Sequence, residues 1–424
     1  MTENISRIGN YRWRICALLF FATTINYIDR QVLSLVATDN TFLNDVGLMG
    51  ADGKLNKELF GYLDAAFKGA YALGFLFMGN LLDKIGSRKG FSIAIIIWSI
   101  AAGGHAFARS ISGLGVFRFL LGFGEAGNFP ACIKTVAEWF PKKERSFATG
   151  VFNAGSNIGA ILAPVFVTFL LFNYGWKYTF IVTGVLGFIW LFFWLLIYKK
   201  PNEHPSLSAA ELKYISSDPA ENSEKIPWIT LLGMRKTWAF AAGKFLTDPV
   251  WWIYLTWLPT FFKEQHGADI KSMILPMIII YLISDAGSIG GGWLSSHLIK
   301  TGWTVNKARK FTMLICALCV TPIFFAGLTS DLWIAIALIS LAAAAHQGWS
   351  ANIFTLVSDS FPKHATASVT GIGGTFGAIG GMFMAAGGGL VYQNYGPAPL
   401  FIISSVAYLI ALGVISLLNP DLDK

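Results

Sequence analysis

Asp29 and Arg30 stand side by side within residues 15–37, a stretch otherwise oily enough to cross a lipid bilayer. A charge at the bilayer centre costs about 3 kcal/mol or more, so an ionisable side chain there implies a task. Four further apolar segments carry the same anomaly, at Asp64 with Lys68, Arg118 with Glu125, Lys244 with Asp248, and His346. These residue types suit capture of an anion under proton control. A guanidinium or ammonium holds a carboxylate, and an acid that gains and loses a proton decides whether the cation is available.

Spacing assigns these residues to helix faces. Asn26, Asp29 and Arg30 fall at i, i+3 and i+4, with Tyr27 three residues before Arg30. The reading is that Arg30 alternates between Asp29 and a ligand carboxylate, protonation of Asp29 releasing it. A static buried salt bridge is the alternative. Arg118 and Glu125 are two turns apart, about 10 Å along a straight helix, so a bridge between them needs extended side chains or water. Asp64, Lys68 and Tyr71 form one stripe, in which Lys68 serves either a carboxylate or hydroxyl ligand or Asp64 itself.

Lys244, Asp248, Trp251 and Trp252 form another stripe, with Pro249 interrupting its backbone ladder. Asp248 suits sugar hydroxyls and Trp251 the apolar C–H face of a sugar. Gln347 is a candidate hydroxyl ligand, and His346 is either a hydrogen-bonded core residue or a titrating one. Asn153, Ser156 and Asn157 share a glycine-containing helix, while His105, Lys134 and Asp285 are read as structural.

The elements that must hold these residues are membrane helices. The chain is 54% hydrophobic and 13% charged, against about 25% charged in soluble domains. Apolar runs of spanning length read at 14–37, 59–82, 88–108, 112–134, 146–172, 178–198, 238–262, 273–298, 310–328, 332–355, 366–391 and 398–418. This makes an all-α integral membrane protein of twelve helices, the first retained rather than cleaved as a signal peptide. Of 32 Lys and Arg, 21 fall in segments that are inner if the N-terminus is inside, 6 in outer loops and 5 within spans. Both termini are therefore expected in the cytoplasm. The same bias accounts for the net charge of +8 without a nucleic-acid partner; the lipid bilayer is the expected surrounding. Cys316 and Cys319 have redox or metal spacing but lie in an apolar helix with no second pair, so they are read as structural. No cofactor is expected beyond the proton as coupling ion, and a monomer is expected.

The chain repeats itself at an offset of 221 residues. Phe140-Pro141-Lys142, Thr149-Gly150 and Ile158-Gly159 match Phe361-Pro362-Lys363, Thr370-Gly371 and Ile379-Gly380; Arg88-Lys89 matches Arg309-Lys310. Two parallel six-helix halves, 1–198 and 237–424, are joined by a polar cytoplasmic linker, 199–236. Such repeats around a central cavity are what alternating access requires.

The stretch Gly79-Asn80-Leu81-Leu82-Asp83-Lys84-Ile85-Gly86-Ser87-Arg88-Lys89 resembles the loop 2/3 motif of the major facilitator superfamily. The resemblance implies that fold and a cytoplasmic gate of Asp83, Arg88 and Lys89, with Asp83 free to pair with a cation such as Arg145. In the second half Ser296 stands where the acid is expected, implying a weaker lock or another contact. Tyr27-Ile28-Asp29-Arg30, the Arg118/Glu125 helix, Glu138 through Arg145, and Ala345-His346-Gln347 resemble the anion:cation symporter family. Lys244 through Trp251 with Ala345-His346-Gln347 is most similar to its hexuronate transporters. The resemblance implies a secondary active transporter of the bacterial inner membrane, importing a small sugar-acid anion (galacturonate or glucuronate) by proton symport. It makes Glu125 a second proton carrier beside Asp29, Arg118 its charge partner, and Tyr71 and Ser156 substrate contacts. Two intramembrane carboxylates suggest two protons per anion. Another organic anion, an aldonate or aldarate, is the alternative. A drug exporter would call for an acidic, cation-seeking cavity, and no nucleophile triad, metal cluster or phosphate loop suggests an enzyme.

Overall fold

The protein, seen in a computed structural model, is described at residues 9–51, 53, 55–218, 226–267 and 270–422; the side chains at 57–58, 254–257, 259–260, 263–264, 270–274, 385–387, 389–390 and 392–393 lie outside the description. Its long helical segments are α1 Tyr11–Val36, α2 Lys57–Ile85, α3 Ser87–Gly104, α4 in two pieces (Ile111–Glu125 and Asn128–Trp139), α5 Lys142–Tyr174 and α6 Trp176–Ile197. After the linker come α7 Arg235–His266, α8 Ile270–Lys300, α9 Val305–Val320 with a 3₁₀ extension Thr321–Gly327, α10 Leu332–Ser360, α11 Thr366–Tyr395 and α12 Ala398–Leu418. Short helices at Asn40–Val46, Ala209–Ile215 and Trp228–Leu232 lie between them.

Among the described residues, nine segments are long and apolar enough to cross a membrane. The other three, α1, α4 and α7, are those that carry Asp29 and Arg30, Arg118 and Glu125, and Lys244 and Asp248. Exposed Phe172, Phe192, Leu196, Phe325, Phe383 and Leu417 face outward from the helices, as lipid contact requires.

Within each half the helices pack in matching pairs: α1 on α5 and α2 on α4, α7 on α11 and α8 on α10. The halves meet along two seams, α5 against α8 and α2 against α11. Both seams depend on glycine. A Cβ on Gly79 would come within 2.4 Å of the Ala367 carbonyl, and one on Gly371 within 2.2 Å of the Phe75 carbonyl. At the other seam Gly292 meets the Ser146 carbonyl at 2.3 Å and Gly150 that of Ser288 at 2.4 Å. Helix backbones that close carry no side chain between them, the packing that membrane helices use where apolar burial supplies no drive.

The start of α1, the residues after α12 and the described part of the linker lie on one face, where Tyr11 meets Glu211 and Lys310 meets Asn419. The linker caps helices there. Glu211 accepts from the Tyr11 and Arg12 N–H groups at 3.1 Å each, and Asp218 from Lys142 N–H at 3.0 and 3.2 Å, which satisfies first-turn donors of α1 and α5. Glu144 joins Arg12 at 2.8 Å, Lys300 of α8 at 3.3 Å and the Tyr214 hydroxyl at 2.9 Å. Burial, then the hydrogen bond to Glu144, pushes the Tyr214 hydroxyl up, so it remains a donor.

Candidate functional site

Where α1, α2, α4, α5, α7, α10 and α11 face one another they enclose a cavity of about 100 Å³. Its lining includes Tyr27, Arg30, Tyr71, Asn153, Ser156, Lys244, Asp248, Trp251, His346 and Gln347. Two sequence candidates lie off it. Asn26 is buried behind Arg30, and Lys68 is half-exposed, its ammonium 2.8 Å from Asp64 and 5.4 Å from the centre of the Trp252 ring. Phe75, Phe129, Trp252, Ser350, Phe354, Gly374 and Ala378 complete the wall. Ser350 was within reach of sequence reading, one turn after His346 on the same face; nothing in the sequence singled out the phenylalanines.

The Arg30 guanidinium lies between two aromatic faces, 4.7 Å from the ring centre of Tyr27 and 4.7 Å from that of Tyr71. Its Nε donates to Glu125 Oε2 at 3.0 Å, and a terminal nitrogen to Asn26 Oδ1 at 3.4 Å. The expected partner was Asp29. Consecutive helical residues point about 100° apart, and Asp29 is directed away from Arg30. Its buried carboxylate sits by Thr183 of α6, with no cation paired to it among the described residues.

Arg118 and Glu125 act on each other as charges but make no direct contact, as the two-turn spacing led one to expect. Arg118 is buried with its guanidinium 4.5 Å from the Phe67 ring centre, its Nε and one terminal nitrogen lacking partners among the described residues, and two turns of α4 keep it from the carboxylate that Arg30 holds. Phe67 stands between the two guanidiniums, 5.5 Å from that of Arg30. α4 breaks immediately after Glu125 and resumes at Asn128, and interrupted helices at membrane depth are tolerated where they line a buried polar site. The other Glu125 oxygen has no partner among the described residues.

On the opposite wall Lys244 Nζ is 2.8 Å from Asp248 Oδ1 and 4.4 Å from the Phe354 ring centre. The His346 ring stacks on Trp251 at 4.9 Å with 6° between planes, and its Nδ1 bonds to the Tyr408 hydroxyl. His346 is thus tied into the core on one side and offers a flat face with Trp251 on the other. Asn153 Nδ2 donates to Gln347 Oε1 at 2.8 Å and to Ser288 Oγ at 3.2 Å, and Asn157 Nδ2 to Asp285 Oδ1 at 2.8 Å, all across the seam between halves. Ser156 turns its hydroxyl to the Asn153 carbonyl at 2.7 Å. Among the described residues no three His, Cys, Asp or Glu side chains converge to hold a metal.

Below the cavity, towards the linker face, the halves are closed. Asp83 was expected to reach Arg145; it pairs instead with Lys134 at 2.5 Å and accepts from the N–H groups of Ala367 and Ser368 at the start of α11, at 3.3 and 2.6 Å. Lys134 Nζ also donates to the Lys363 carbonyl at 3.0 Å. Lys134, read from sequence as structural, therefore joins the two halves at this closed face. Arg145 serves the other seam, bonding the Ser358 carbonyl at 2.5 Å and reaching Asp359 at 3.5 Å and Asp218 at 3.0 Å. Asp359 also holds Arg309 at 2.9 Å. Arg88 and Lys89 take no part in this closure: both are exposed, and Arg88 donates to the Leu195 carbonyl within its own half.

Two six-helix halves around a polar cavity, closed at one face by ion pairs and helix caps, define a membrane carrier of small solutes. The chain belongs to the Major Facilitator Superfamily, whose model matches residues 19–385. It is a multi-pass membrane transporter and not an enzyme. The chain is 30% identical to the hexuronate transporter of Escherichia coli K12 over 96% of this chain and 94% of that one. It is 31% identical to the probable galactarate/D-glucarate transporter GarP of the same organism (87% and 85%), and 30% to the galacturonate transporter of Dickeya chrysanthemi (80% and 97%). The solved proton:xylose symporter XylE shares the fold at a TM-score of 0.74 and 16% identity, covering 95% of this chain and 94% of that one.

Proposed function

We propose that this protein imports a sugar acid, a hexuronate such as galacturonate or glucuronate, by proton symport with alternating access. Relatives of known or assigned sugar-acid substrate support the substrate class. The observation that carries the mechanism is the Arg30–Glu125 pair at the cavity wall. With Glu125 charged, Arg30 is engaged. When Glu125 takes a proton the guanidinium, still held between Tyr27 and Tyr71, presents its planar donor fork to the substrate carboxylate. Proton and anion then depend on each other through one shared cation, a thermodynamic coupling that works in both directions.

The sugar hydroxyls fall to Asp248, Lys244, Asn153 and Gln347, and the C–H face to Trp251. Lys68 with Asp64 lies off the cavity, half-exposed. Asp29 is the second proton carrier, away from the substrate, and Arg118 adds a positive field at α4 without touching Glu125. The linker face is cytoplasmic, by the excess of Lys and Arg there, in the bacterial inner membrane. The carrier works as a monomer. In the conformation described here the cytoplasmic side is shut, so the cavity receives substrate from the other side. Separation of the α5–α8 and α2–α11 seams opens the inner path.

Uptake of labelled galacturonate, glucuronate, galactonate and galactarate into proteoliposomes, with and without a protonophore, tests this reading. Accumulation of a uronate that the protonophore abolishes is expected. Protonophore-insensitive accumulation defeats the coupling, and indifference to all four defeats the substrate class.

A further inference from the structure

Asp285, read from sequence as structural, stands halfway along α8 and reaches across the α5–α8 seam, where its Oδ1 accepts from Asn157 Nδ2 at 2.8 Å. The residue is 8% exposed, and its other oxygen has no hydrogen-bond partner among the described residues. The neighbouring contacts are neutral: Asn153 donates to Ser288 and Gln347, and Ser288 Oγ to the Gly150 carbonyl at 3.0 Å. The elements packed on α8, which are α5, α9 and α10, bring Asp285 no cation. α5 has no ionisable side chain between Arg145 and Tyr174. On α10 His346 is bonded to Tyr408, and Asp359 is held by Arg309 and Arg145. α9 offers Cys316 and Cys319, with Lys307, Arg309 and Lys310 at its linker end; α8 itself offers Tyr281 one turn away, with Lys271, His297 and Lys300 near its ends.

We propose that Asp285 is a proton-operated latch on this seam, keeping its proton while the halves are shut and giving it up to the linker side when they part. A buried carboxylate without a cation is costly as an anion and neutralises instead. The glycines fix which contact breaks. A Cβ on Gly287 would fall 2.2 Å from the Ala344 carbonyl of α10, inside the C-terminal half, so α8 travels with α10. The α5 contact across the seam is the one that opens, and it puts water against Asp285 in place of Asn157. Water stabilises the anion, and the proton leaves. A ligand that favours one conformation draws the population towards it, and here the ligand is the proton. Acid on the linker side therefore holds the carrier shut. Asp285 does not line the transport cavity, so its proton exchanges with the linker side and is not carried through. A symporter delivers protons to that side with its cargo, and the latch slows entry as they accumulate. The latch rests on the alternating-access reading above and adds to it a control by internal acidity.

The test measures the distance between spin labels at the linker-face ends of α5 and α8, in the full-length protein in lipid nanodiscs and without substrate. The labels are attached without using the native cysteines. The background is Asp29→Asn/Glu125→Gln, which removes the two acids assigned to proton coupling. The pH runs from about 6 to 9, above the ordinary carboxylate range. The expected result is a short distance at the acid end and a longer one that gains on it by up to about tenfold per pH unit, the limit for one proton. Asp285→Asn keeps the short distance throughout. Asn157→Ala, which removes the amide across the seam, shows the longer distance at lower pH. A pH response that survives Asp285→Asn, the absence of any response before that substitution, or an unchanged profile in Asn157→Ala overturns the latch. Asp83→Ala, measured alongside, separates the two readings. If it opens the seam while pH does not, the latch alone fails; if the distance stays fixed there too, alternating access fails with it.

Discussion

The Asp83 carboxylate accepts a 2.6 Å hydrogen bond from the N–H of Ser368, 285 residues away and in the other half of the molecule. The second half repeats the arrangement with a hydroxyl: Ser296 Oγ accepts from Phe147 N–H, the repeat mate of Ser368, at 3.2 Å. One seam is therefore capped by a charge that also holds Lys134, and the other by a neutral group, with its charges supplied separately by Arg145, Asp359 and Arg309. The two substitutions should differ accordingly. Asp83→Ala strands a buried ammonium and two helix N–H groups, a loss of about 3–5 kcal/mol of closure. Ser296→Ala forfeits one neutral hydrogen bond, about 0.5–1.5 kcal/mol. Thiol labelling of a cysteine placed on the linker face should rise strongly in the first and little in the second; equal labelling contradicts the assignment.

Glu125→Gln removes the acid that competes for Arg30 while keeping its shape. Accumulation driven by a pH gradient should disappear, and exchange of external for internal substrate should persist, because the guanidinium is permanently available. Arg30→Ala should lose both. A Glu125→Gln carrier that still concentrates substrate removes Glu125 from the coupling.

Symport of one proton with a monoanion gains only the pH term, about 1.4 kcal/mol per unit, whereas a second proton adds about 2.3 kcal/mol per 100 mV. With Asp29 as the second carrier, substrate added to proteoliposomes should evoke an inward positive current, and Asp29→Asn should carry substrate with that current abolished. Silence in the unaltered protein reduces the count to one proton and makes Asp29 structural.

Asp248→Asn keeps the size of the side chain but frees Lys244 from its 2.8 Å partner. The half-saturating uronate concentration should rise about tenfold, the scale of one charge-assisted hydrogen bond. Gly377→Ala should impair the same wall, since its Cβ would fall 2.2 Å from Asp248 Oδ2. Substrate titration of both variants, with Gly413→Ala as a control in open space, measures this.

Glu211→Ala uncaps α1 and leaves Arg12 with Glu144 as its one carboxylate partner among the described residues. A loss of about 1–3 kcal/mol should appear as a lower unfolding temperature, while the substrate affinity of the intact carrier stays as it was.

Sequence by itself determined the membrane class, the repeat and most of the cavity lining, because each is written in local periodicity. Apolar runs of bilayer length must be helices, and charged residues at helical spacing within them must share a face. What only the tertiary structure decided was partnership. Asp29 is next to Arg30 in the chain, but Glu125, 95 residues on, is next to it in space; Asp83 meets Lys134 rather than Arg145. A helix fixes the direction of its own side chains and carries no record of which helix will face them. In a medium without water a buried charge can pair only with an opposite charge or donor that the packing brings to it, and the packing is a property of all the helices together.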